Sequence, residues 1–300
     1  MIPRKFLQAP AIDGITAGSL ASAVGTMYVK PPARISKVVL KYVDGGSSPT
    51  DILSVIGDIT CFKNNSEFRV HSAAQLDFLN QQNGTQWAYQ KLGTGATQIQ
   101  YLTIYFFEPW RKMTSDAESQ CLIVDPSQGW NKDGLQIQIK LLAAIPSTGA
   151  LTAQIYMDDL IPNTNTQQVC KIVKRQNIVV QGTEVDYLTI PQSGKLQGIN
   201  LTNPSTTGVI KSLIFKANGV TYVDEVLRED MINHLTGMGV NPPAYANTGA
   251  NQQSYSYVVD DSDPIQAALA LAGANPWAKI KFTVASSGTV IALLEIVDTF

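Results

Sequence analysis

The sequence VIGDITCFKNNSEFRVHSAAQLDFLNQQNG, residues Val55–Gly84, returns in outline as VIKSLIFKANGVTYVDEVLREDMINHLTGMG, residues Val209–Gly239. Each stretch has a β-prone run, a short polar turn, a second short run, a stretch of helical character and a terminal glycine. A repeat of this length indicates two copies of one fold, so the same spacing is expected in the rest of the chain.

The composition fits two domains of medium size, because single cores usually stop growing at about 250 to 300 residues and the chain has 300. Charged residues make up only 15% of it, whereas a typical soluble domain has about 25%. The polar surface must therefore be rich in Ser, Thr, Asn and Gln. A net charge of −2 gives no general attraction to nucleic acid, which requires clustered Lys and Arg. We expect no direct, sequence-specific binding of nucleic acid.

Cysteines and histidines are too few and too scattered for a metal centre. Cys61, Cys121 and Cys170 lie far apart without metal-ligand spacing, so free buried thiols are expected. The only histidines are His71 and His234, and neither lies in an HExxH pattern. We therefore expect neither a cofactor nor a metal.

Membrane and export segments are not predicted either. The longest apolar run, Ile265–Ala274, is shorter than the ~20 residues of a membrane span. Residues 1–20 lack the hydrophobic core of an export signal. The sequence predicts a soluble protein with a small basic and apolar N-terminal arm, Met1–Pro10. We interpret this arm as a mobile terminus, with a docking segment as the weaker alternative.

β-Branched and alternating runs predict roughly eight short strands in the first half, a number and spacing typical of a sandwich or barrel. Ser72 and Gln75 have the form of a capping box, which predicts a short helix through Leu76 and Leu79. The predicted strands include 34–43, 55–62, 68–70, 99–107, 120–124, 135–142 and 150–157.

A polar segment separates the two halves. Pro162–Gln168, PNTNTQQ, has no periodic apolar pattern and predicts a linker. We therefore expect an N-terminal domain with its arm at residues 1–161, a linker at 162–168 and a C-terminal domain at 169–300.

The second half repeats the order of the first well beyond the opening stretches. Each aligned pair is weak alone, but their shared order indicates a tandem duplication of one β domain. The pairs are Tyr28 with Tyr187, Pro32 with Pro191, Ile35 with Leu196, Leu40 with Leu201, Val55 with Val209, Tyr101 with Tyr255, Trp130 with Trp277, Gly149 with Gly288, Ala153 with Ala292 and Asp159 with Asp298.

This plan resembles the double jelly-roll major capsid proteins of tailless icosahedral viruses, among them the tectivirus-like and corticovirus-like phages with an internal membrane. The resemblance covers nearly the whole chain, Thr26–Asp298. It is carried by the turn-and-helix units Phe62–Leu79 and Phe215–Leu235 and by the closing strand Leu294–Asp298. It is a pattern of architecture without a diagnostic short motif. The fold that it implies is all-β, with two tandem eight-stranded jelly rolls and short helices.

The resemblance implies a structural viral protein that is not an enzyme. It implies a homotrimer whose six jelly rolls form a pseudo-hexagonal capsomer, with lateral contacts between trimers building the shell. The implied partners are other copies of the chain, penton and minor capsid proteins, and in some members a membrane beneath the shell. The implied location is the capsid of the virion, after synthesis in the host cytoplasm.

No pattern predicts a catalytic, cofactor-binding or metal site, and we expect none. The chain has no GxSxG nucleophile elbow and no GxxxxGK[ST] phosphate loop, because Ser193–Leu196 ends in leucine. The acidic run Asp260–Asp263 lacks the glycine and distal Glu of a calcium loop, so we interpret it as a solvated turn. The same interpretation applies to Asp158 and Asp159. Both histidines are expected to have hydrogen-bonded or surface positions.

Two alternatives from other functional classes stay open. A carbohydrate-binding tandem jelly roll would need exposed aromatic rings on one face, and a glycan hydrolase would need paired carboxylates about 5 to 9 Å apart. Packing in cores and interfaces is the simpler interpretation of the aromatic residues. The long connections Asn83–Gln98 and Gly237–Gln253 are expected at the exposed end of the subunit. The aromatic candidates are Trp87, Tyr89, Trp110, Tyr245, Tyr255 and Tyr257.

Overall fold

The structure is a computed structural model that divides into two compact units, residues 1–170 with Phe300 (unit 1) and residues 171–299 (unit 2). Each unit is considered by itself. The predicted linker 162–168 lies outside the described residues. The described residues are 5–8, 11–110, 121–158, 169–187, 190–203, 210–238, 253–258, 269–271 and 275–299.

The described part of unit 1 contains ten strands and two α-helices. The helix after β5 was predicted, whereas the single-turn helix before β4 was not. The elements are β1 Lys5–Gln8, β2 Val24–Val29, β3 Ala33–Val43, α1 Ile52–Val55, β4 Ile56–Lys63, β5 Ser66–Ser72, α2 Ala73–Gln82, β6 Gln90–Leu92, β7 Ile99–Tyr105, β8 Leu122–Val124, β9 Leu135–Leu141 and β10 Ala150–Asp158.

These strands form the two antiparallel sheets of a jelly roll. One sheet has the order β1-β10-β3-β7, with β6 beyond β7 and β8 beside the start of β3. Residues 5–8 of the N-terminal arm form β1 and pair with β10, so the interpretation of these residues as a mobile terminus is wrong. The other has the order β2-β9-β4-β5. In the usual lettering of the eight jelly-roll strands in chain order, B to I, these are the sheets B-I-D-G and C-H-E-F.

Alternation of apolar and polar residues builds the core of unit 1. In β9, LQIQIKL, the side chains of Leu135, Ile137, Ile139 and Leu141 are almost fully buried, and the residues between them are not. Period-two alternation puts every second side chain on one face of the sheet. Each such side chain contributes about 1.5–3 kcal/mol when it leaves water.

Helix α2 begins at the predicted capping box. Ser72 Oγ accepts a hydrogen bond from Gln75 N–H, and Gln75 Oε1 accepts one from Ser72 N–H. Helix α2 also supplies a hydrogen-bond donor to the part of strand β7 that does not pair with β6. Asn80 Nδ2 donates to the carbonyl of Thr103 at 2.9 Å. Backbone groups that lack a neighbouring strand are thereby satisfied by a side chain.

The described part of unit 2 contains seven strands and one α-helix. The first strand begins at Val169, two residues before the boundary of the unit, and the helix has no side-chain cap at Leu227. The elements are β11 Val169–Tyr187, β12 Lys195–Asn203, β13 Ile210–Ala217, β14 Val220–Leu227, α3 Arg228–Gly237, β15 Gln253–Val258, β16 Leu269–Ala270 and β17 Trp277–Thr299.

Two long strands give unit 2 the same jelly-roll order. The first part of β17 pairs with β13, which pairs with β14, and its last part pairs with β12, which pairs with β15. Strand β11 lies beside β17. Its start contacts the last part of β17 through Lys171 and Glu295, and its end contacts the first part through Glu184 and Lys279. β11 therefore supplies strands B and C, and β17 supplies H and I.

The strand pairing confirms two aligned pairs from the sequence. Leu40 in β3 lies opposite Ala153 in β10, and Leu201 in β12 lies opposite Ala292 in β17. All four side chains are buried. The D and I strands of the two units are therefore equivalent residue by residue at these positions.

The alignment of Tyr101 with Tyr255 is wrong by one residue. Leu40 lies opposite Leu102 in β7, whereas Leu201 lies opposite Tyr255 in β15. The structural counterpart of Tyr255 is thus Leu102. A slip of one residue moves a strand side chain to the other face, which explains why Tyr255 is buried and Tyr101 is not.

The alignment of Trp130 with Trp277 is also wrong. Trp277 begins β17 and lies opposite Lys216, whereas Trp130 lies in the loop before β9. The loop before the H strand differs in length between the two units. An alignment that matches Trp130 with Trp277 therefore places the H strands of the two units out of register. Asp159 lies outside the described residues.

Candidate assembly surfaces and side-chain networks

The residues weighed as catalytic candidates do not form a described active site. Ser193 lies in a bend that leads into β12. His71 is buried in β5 of unit 1, and His234 is exposed on α3 of unit 2. Within the described residues, no three His, Cys, Asp or Glu side chains are grouped as metal ligands. Asp159 and Asp260–Asp263 lie outside the described residues.

The three cysteines are free and buried, as the sequence predicts. Burial raises the pKa of Cys61 to about 12, with the charge of Arg69 acting weakly in the other direction. The thiol therefore stays protonated at neutral pH. A protonated, buried thiol is a poor nucleophile. Cys61 therefore acts as a packing residue in the core of unit 1.

The long connection Asn83–Gln98 is tied to unit 1 by two carboxylates. Tyr89 spans them, because its N–H donates to Asp77 Oδ1 at 2.7 Å and its hydroxyl donates to Asp51 Oδ2 at 2.9 Å. Lys91 Nζ lies 2.8 Å from the same Asp51 oxygen. Tyr89, which the sequence offered as a sugar-stacking candidate, is thus an anchor for the loop. Residues 90–94 beyond it are exposed.

The two carboxylates respond to pH in opposite directions. Burial alone would raise the pKa of Asp51, but hydrogen bonds from Lys91, Leu53 N–H and Tyr89 lower it overall. Its contribution to stability is present above the ordinary Asp pKa of about 3.9 and is lost as the pH falls through its lowered value. Burial raises the pKa of Asp77, and hydrogen bonds offset only part of this. Its contribution is largest below the ordinary pKa and falls as the pH rises through the raised value.

Replacing Asp51 with alanine is expected to release the anchored loop. The substitution removes the cap of α1 and the acceptor for Tyr89 and Lys91, which together should cost about 1–2 kcal/mol. Amide hydrogen exchange over residues 83–98 should therefore become faster while exchange in β9 stays unchanged. Asp125→Ala is the matched control, because Asp125 caps a separate turn through Ser127 N–H. Equal loop exchange in both variants would contradict the anchoring.

Trp87 and Trp110, two of the aromatic candidates from the sequence, lie together in an aromatic cluster. Its other members, Tyr105 and Phe107, were not among the candidates. Trp87 and Tyr105 have ring centroids 5.9 Å apart at 88°, and Tyr105 and Trp110 have centroids 6.0 Å apart at 82°. Edge-to-face packing of this kind stabilises a cluster. The rings are not coplanar, so they do not form one continuous flat surface, and their packing against one another accounts for their positions.

The aromatic candidates of unit 2 belong largely to its core. Tyr255 is buried, and its hydroxyl donates to the carbonyl of Val226 at 3.0 Å. Tyr257 is half-buried, and its ring centroid lies 5.8 Å from that of Phe215. Tyr245 lies outside the described residues. Tyr255 and Tyr257 are therefore accounted for by packing within the jelly roll.

Strand β14 of unit 2 has an open edge with exposed apolar side chains. Among the described residues it is hydrogen-bonded only to β13. Val220, Tyr222 and Leu227 are 52%, 41% and 40% exposed. Proteins usually protect such an edge, because its unpaired backbone groups and apolar side chains invite association with another chain. β14 is therefore a candidate contact surface.

A second apolar surface lies at the C strand of unit 1. Strand β2 pairs with β9 on one side, and on the other side it has a single bridge to Asp13. Val24 and Tyr28 in β2 are exposed, as is Leu142 just beyond β9. Strand β2, like β14 in unit 2, is an outer strand of the C-H-E-F sheet of its own unit. Each unit therefore has a candidate contact surface at an edge of its C-H-E-F sheet.

None of the described helices is long and apolar enough to span a bilayer.

Comparison with solved structures identifies the same architecture over almost the full chain. The major capsid protein P2 of bacteriophage PM2 superposes with a TM-score of 0.70 at 13% identity, over 99% of this chain and 98% of that one. A chain from Sulfolobus turreted icosahedral virus gives 0.62 at 10% identity, over 98% and 90%. The faustovirus major capsid protein gives 0.62 at 7% identity, over 99% and 90%.

Comparisons at the level of sequence add nothing to this, since no protein-family model and no curated protein matches the chain. The structural likeness rests on the order of strands and helices in both units rather than on shared residues. It confirms the expected fold class, and the chain has the double jelly-roll fold of viral major capsid proteins.

Proposed function

We propose that this chain is the major capsid protein of a tailless icosahedral virus of the phage type with an internal membrane. The observation that carries the proposal is the presence of two jelly rolls of one topology along the whole chain. The match to the capsid protein of PM2, which covers nearly all of both chains, supports it. The proposed role is structural, without catalysis.

The proposed assembly unit is a homotrimer. Two similar but unequal jelly rolls per chain let three copies present six related lateral faces, so a closed three-fold particle can occupy a hexagonal position. Neutral polar residues suit such faces, because an unpaired charge buried in an interface is expensive. The low charged fraction of 15% agrees with this requirement.

The proposed lateral contacts use the outer strands β2 and β14. Their exposed apolar side chains, among them Tyr28 and Tyr222, would leave water when subunits meet. Contacts between trimers need not be strong individually, because many of them act together in a shell. Stable contacts within a trimer should bury more than about 1,000 Å².

The remaining parts of the proposal concern location and partners. The chain would be made in the host cytoplasm and would reside in the virion capsid. Its partners would be other copies of itself, penton and minor capsid proteins at the vertices, and a membrane beneath the shell. No direct reading of nucleic-acid sequence is proposed, since the chain has a net charge of −2.

Native mass spectrometry of the purified chain tests the proposal. The expected species is a trimer of the 32.5 kDa chain, with larger assemblies at high protein concentration. Thermal melting in the presence of a panel of glycans serves as the control for the carbohydrate-binding alternative, and no shift is expected. A stable monomer whose melting temperature rises with a glycan would contradict the capsid proposal.

A further inference from the structure

A lysine, a glutamate and an asparagine meet in unit 2. Lys171 Nζ lies 2.9 Å from Glu295 Oε2, and Asn200 Nδ2 donates to Glu295 Oε1 at 2.8 Å. Asn200 is fully buried, and the side chains of Lys171 and Glu295 are each only 15% exposed. One carboxylate therefore holds an amine on one oxygen and a primary amide on the other.

The three residues come from adjacent strands. Glu295 lies in β17, which has β11 with Lys171 and β12 with Asn200 as its neighbours. Strands on either side of a third are about 10 Å apart, a span that an extended lysine and an asparagine cover together. Gly198, opposite Glu295 in β12, has no side chain to separate the glutamate from Asn200.

We propose that Lys171 and Asn200 form an intramolecular isopeptide bond, with Glu295 as the carrier of protons. Glu295 Oε2 accepts a proton from the Lys171 ammonium, which frees the lone pair of Nζ. Nζ then bonds to Asn200 Cγ, and the bond between Cγ and Nδ2 breaks. The departing nitrogen takes protons from Glu295 and Nζ and leaves as an ammonium ion. Glu295 is a carboxylate again at the end, and no oxidant, metal or cofactor is consumed.

The geometry suits each part of this reaction. Nδ2, which must be protonated to leave, is the amide atom that faces Glu295 Oε1. The amine and the amide are held on one carboxylate of the same chain, so their reaction needs no encounter between separate molecules. A general acid and base within hydrogen-bond distance of both nitrogens is the arrangement that proton transfer requires. Burial of Asn200 keeps water away from the reacting carbonyl.

The bond would tie β11 to β12 across β17 and so restrain the B, I and D strands of unit 2. A covalent link stabilises a fold mainly by restricting the unfolded chain. The link would form within one chain, so it does not depend on trimer assembly. Failure of this inference and failure of the capsid proposal are therefore distinguishable.

Intact mass spectrometry of the purified full chain tests the bond. The expected mass is below the sequence mass by one molecule of ammonia, and a digest should contain one branched peptide that joins Lys171 to Asn200. Lys171→Arg keeps the positive charge but cannot form the bond, and Glu295→Gln removes the proton acceptor. Both variants should have their full sequence mass.

The lysine variant also separates the bond from another source of the same mass change. The Asn-Gly sequences at Asn83 and Asn218 lose ammonia when they form succinimides, and Lys171→Arg leaves that loss unchanged. A wild-type chain with its full sequence mass, or a deficit that persists in Lys171→Arg, would overturn the proposal and leave the three residues as a buried ion pair with a hydrogen-bonded amide.

Discussion

Replacing Asp44 with alanine should destabilise unit 1 by about 3–5 kcal/mol, because three donors converge on this buried carboxylate. The hydroxyl of Tyr42 and the N–H groups of Gly46 and Thr50 each donate to it at 3.0 Å. The tyrosine is itself fully buried. Alanine would leave the buried Tyr42 hydroxyl without an acceptor, and an unsatisfied buried donor costs about 1–3 kcal/mol. Loss of the hydrogen bonds from the less buried N–H groups of Gly46 and Thr50 adds to this cost.

Hydrogen exchange and chemical denaturation measure this effect. Exchange should accelerate in the strands of unit 1, β3 above all, and the denaturation midpoint should fall. Asp133→Ala, which removes an exposed aspartate from the same unit, should change stability by less than about 0.5 kcal/mol. If Asp44→Ala changed the stability no more than Asp133→Ala, the Asp44 carboxylate would not hold the turn at residues 44–50 in place.

The Asp44 effect should also depend on pH. Burial alone would raise the pKa of Asp44, but the hydrogen bonds from Thr50, Tyr42 and Gly46 lower it overall. The stabilisation is therefore present above the ordinary Asp pKa of about 3.9 and disappears as the pH falls through the lowered value. The difference between wild type and Asp44→Ala should shrink in strongly acidic solution and stay constant from pH 6 to 8.

Replacing Phe215 with alanine should destabilise unit 2 by about 3–5 kcal/mol. Phe215 is fully buried in β13, and its ring centroid lies 5.9 Å from that of Tyr222 and 5.8 Å from that of Tyr257. Truncation removes the buried ring and leaves a cavity between well-packed neighbours. Exchange should accelerate in β12, β13 and β17.

Phe62 provides the control for Phe215. It lies in β4, the corresponding E strand of unit 1, but on the half-exposed face beside buried Cys61. Phe62→Ala should therefore cost clearly less than Phe215→Ala. Equal losses would mean that the inner and outer faces of the E strand are assigned wrongly.

The duplicated architecture was predictable from the sequence because it depends on repeated local patterns. The Val55–Gly84 stretch contains its turn and its capping box in consecutive residues, and both are present in the structure. Helix α1 was missed because it is one turn long and depends on Asp51 as its cap. The alignment of Tyr101 with Tyr255 was wrong because a shift of one residue keeps the β-prone character of a strand but moves its side chains to the opposite face.

The side-chain networks could not be predicted because their members are remote in sequence. Asp51 meets Tyr89 across a loop, and Lys171 meets Glu295 from the opposite end of unit 2. Asp44 lies in an Asp-Gly-Gly turn whose composition predicts a turn but not a buried carboxylate. Tyr42, two residues before Asp44, is the signal that could have indicated the buried carboxylate, since a buried Tyr hydroxyl needs a hydrogen-bond partner.

Electron microscopy of the purified oligomer is the sharpest test of the proposed ring of six jelly rolls from three chains. We expect three-fold particles whose projection along the axis has six similar lobes, two from each chain. Isolated two-lobed particles at all protein concentrations, or a closed dimer with four lobes, would contradict it.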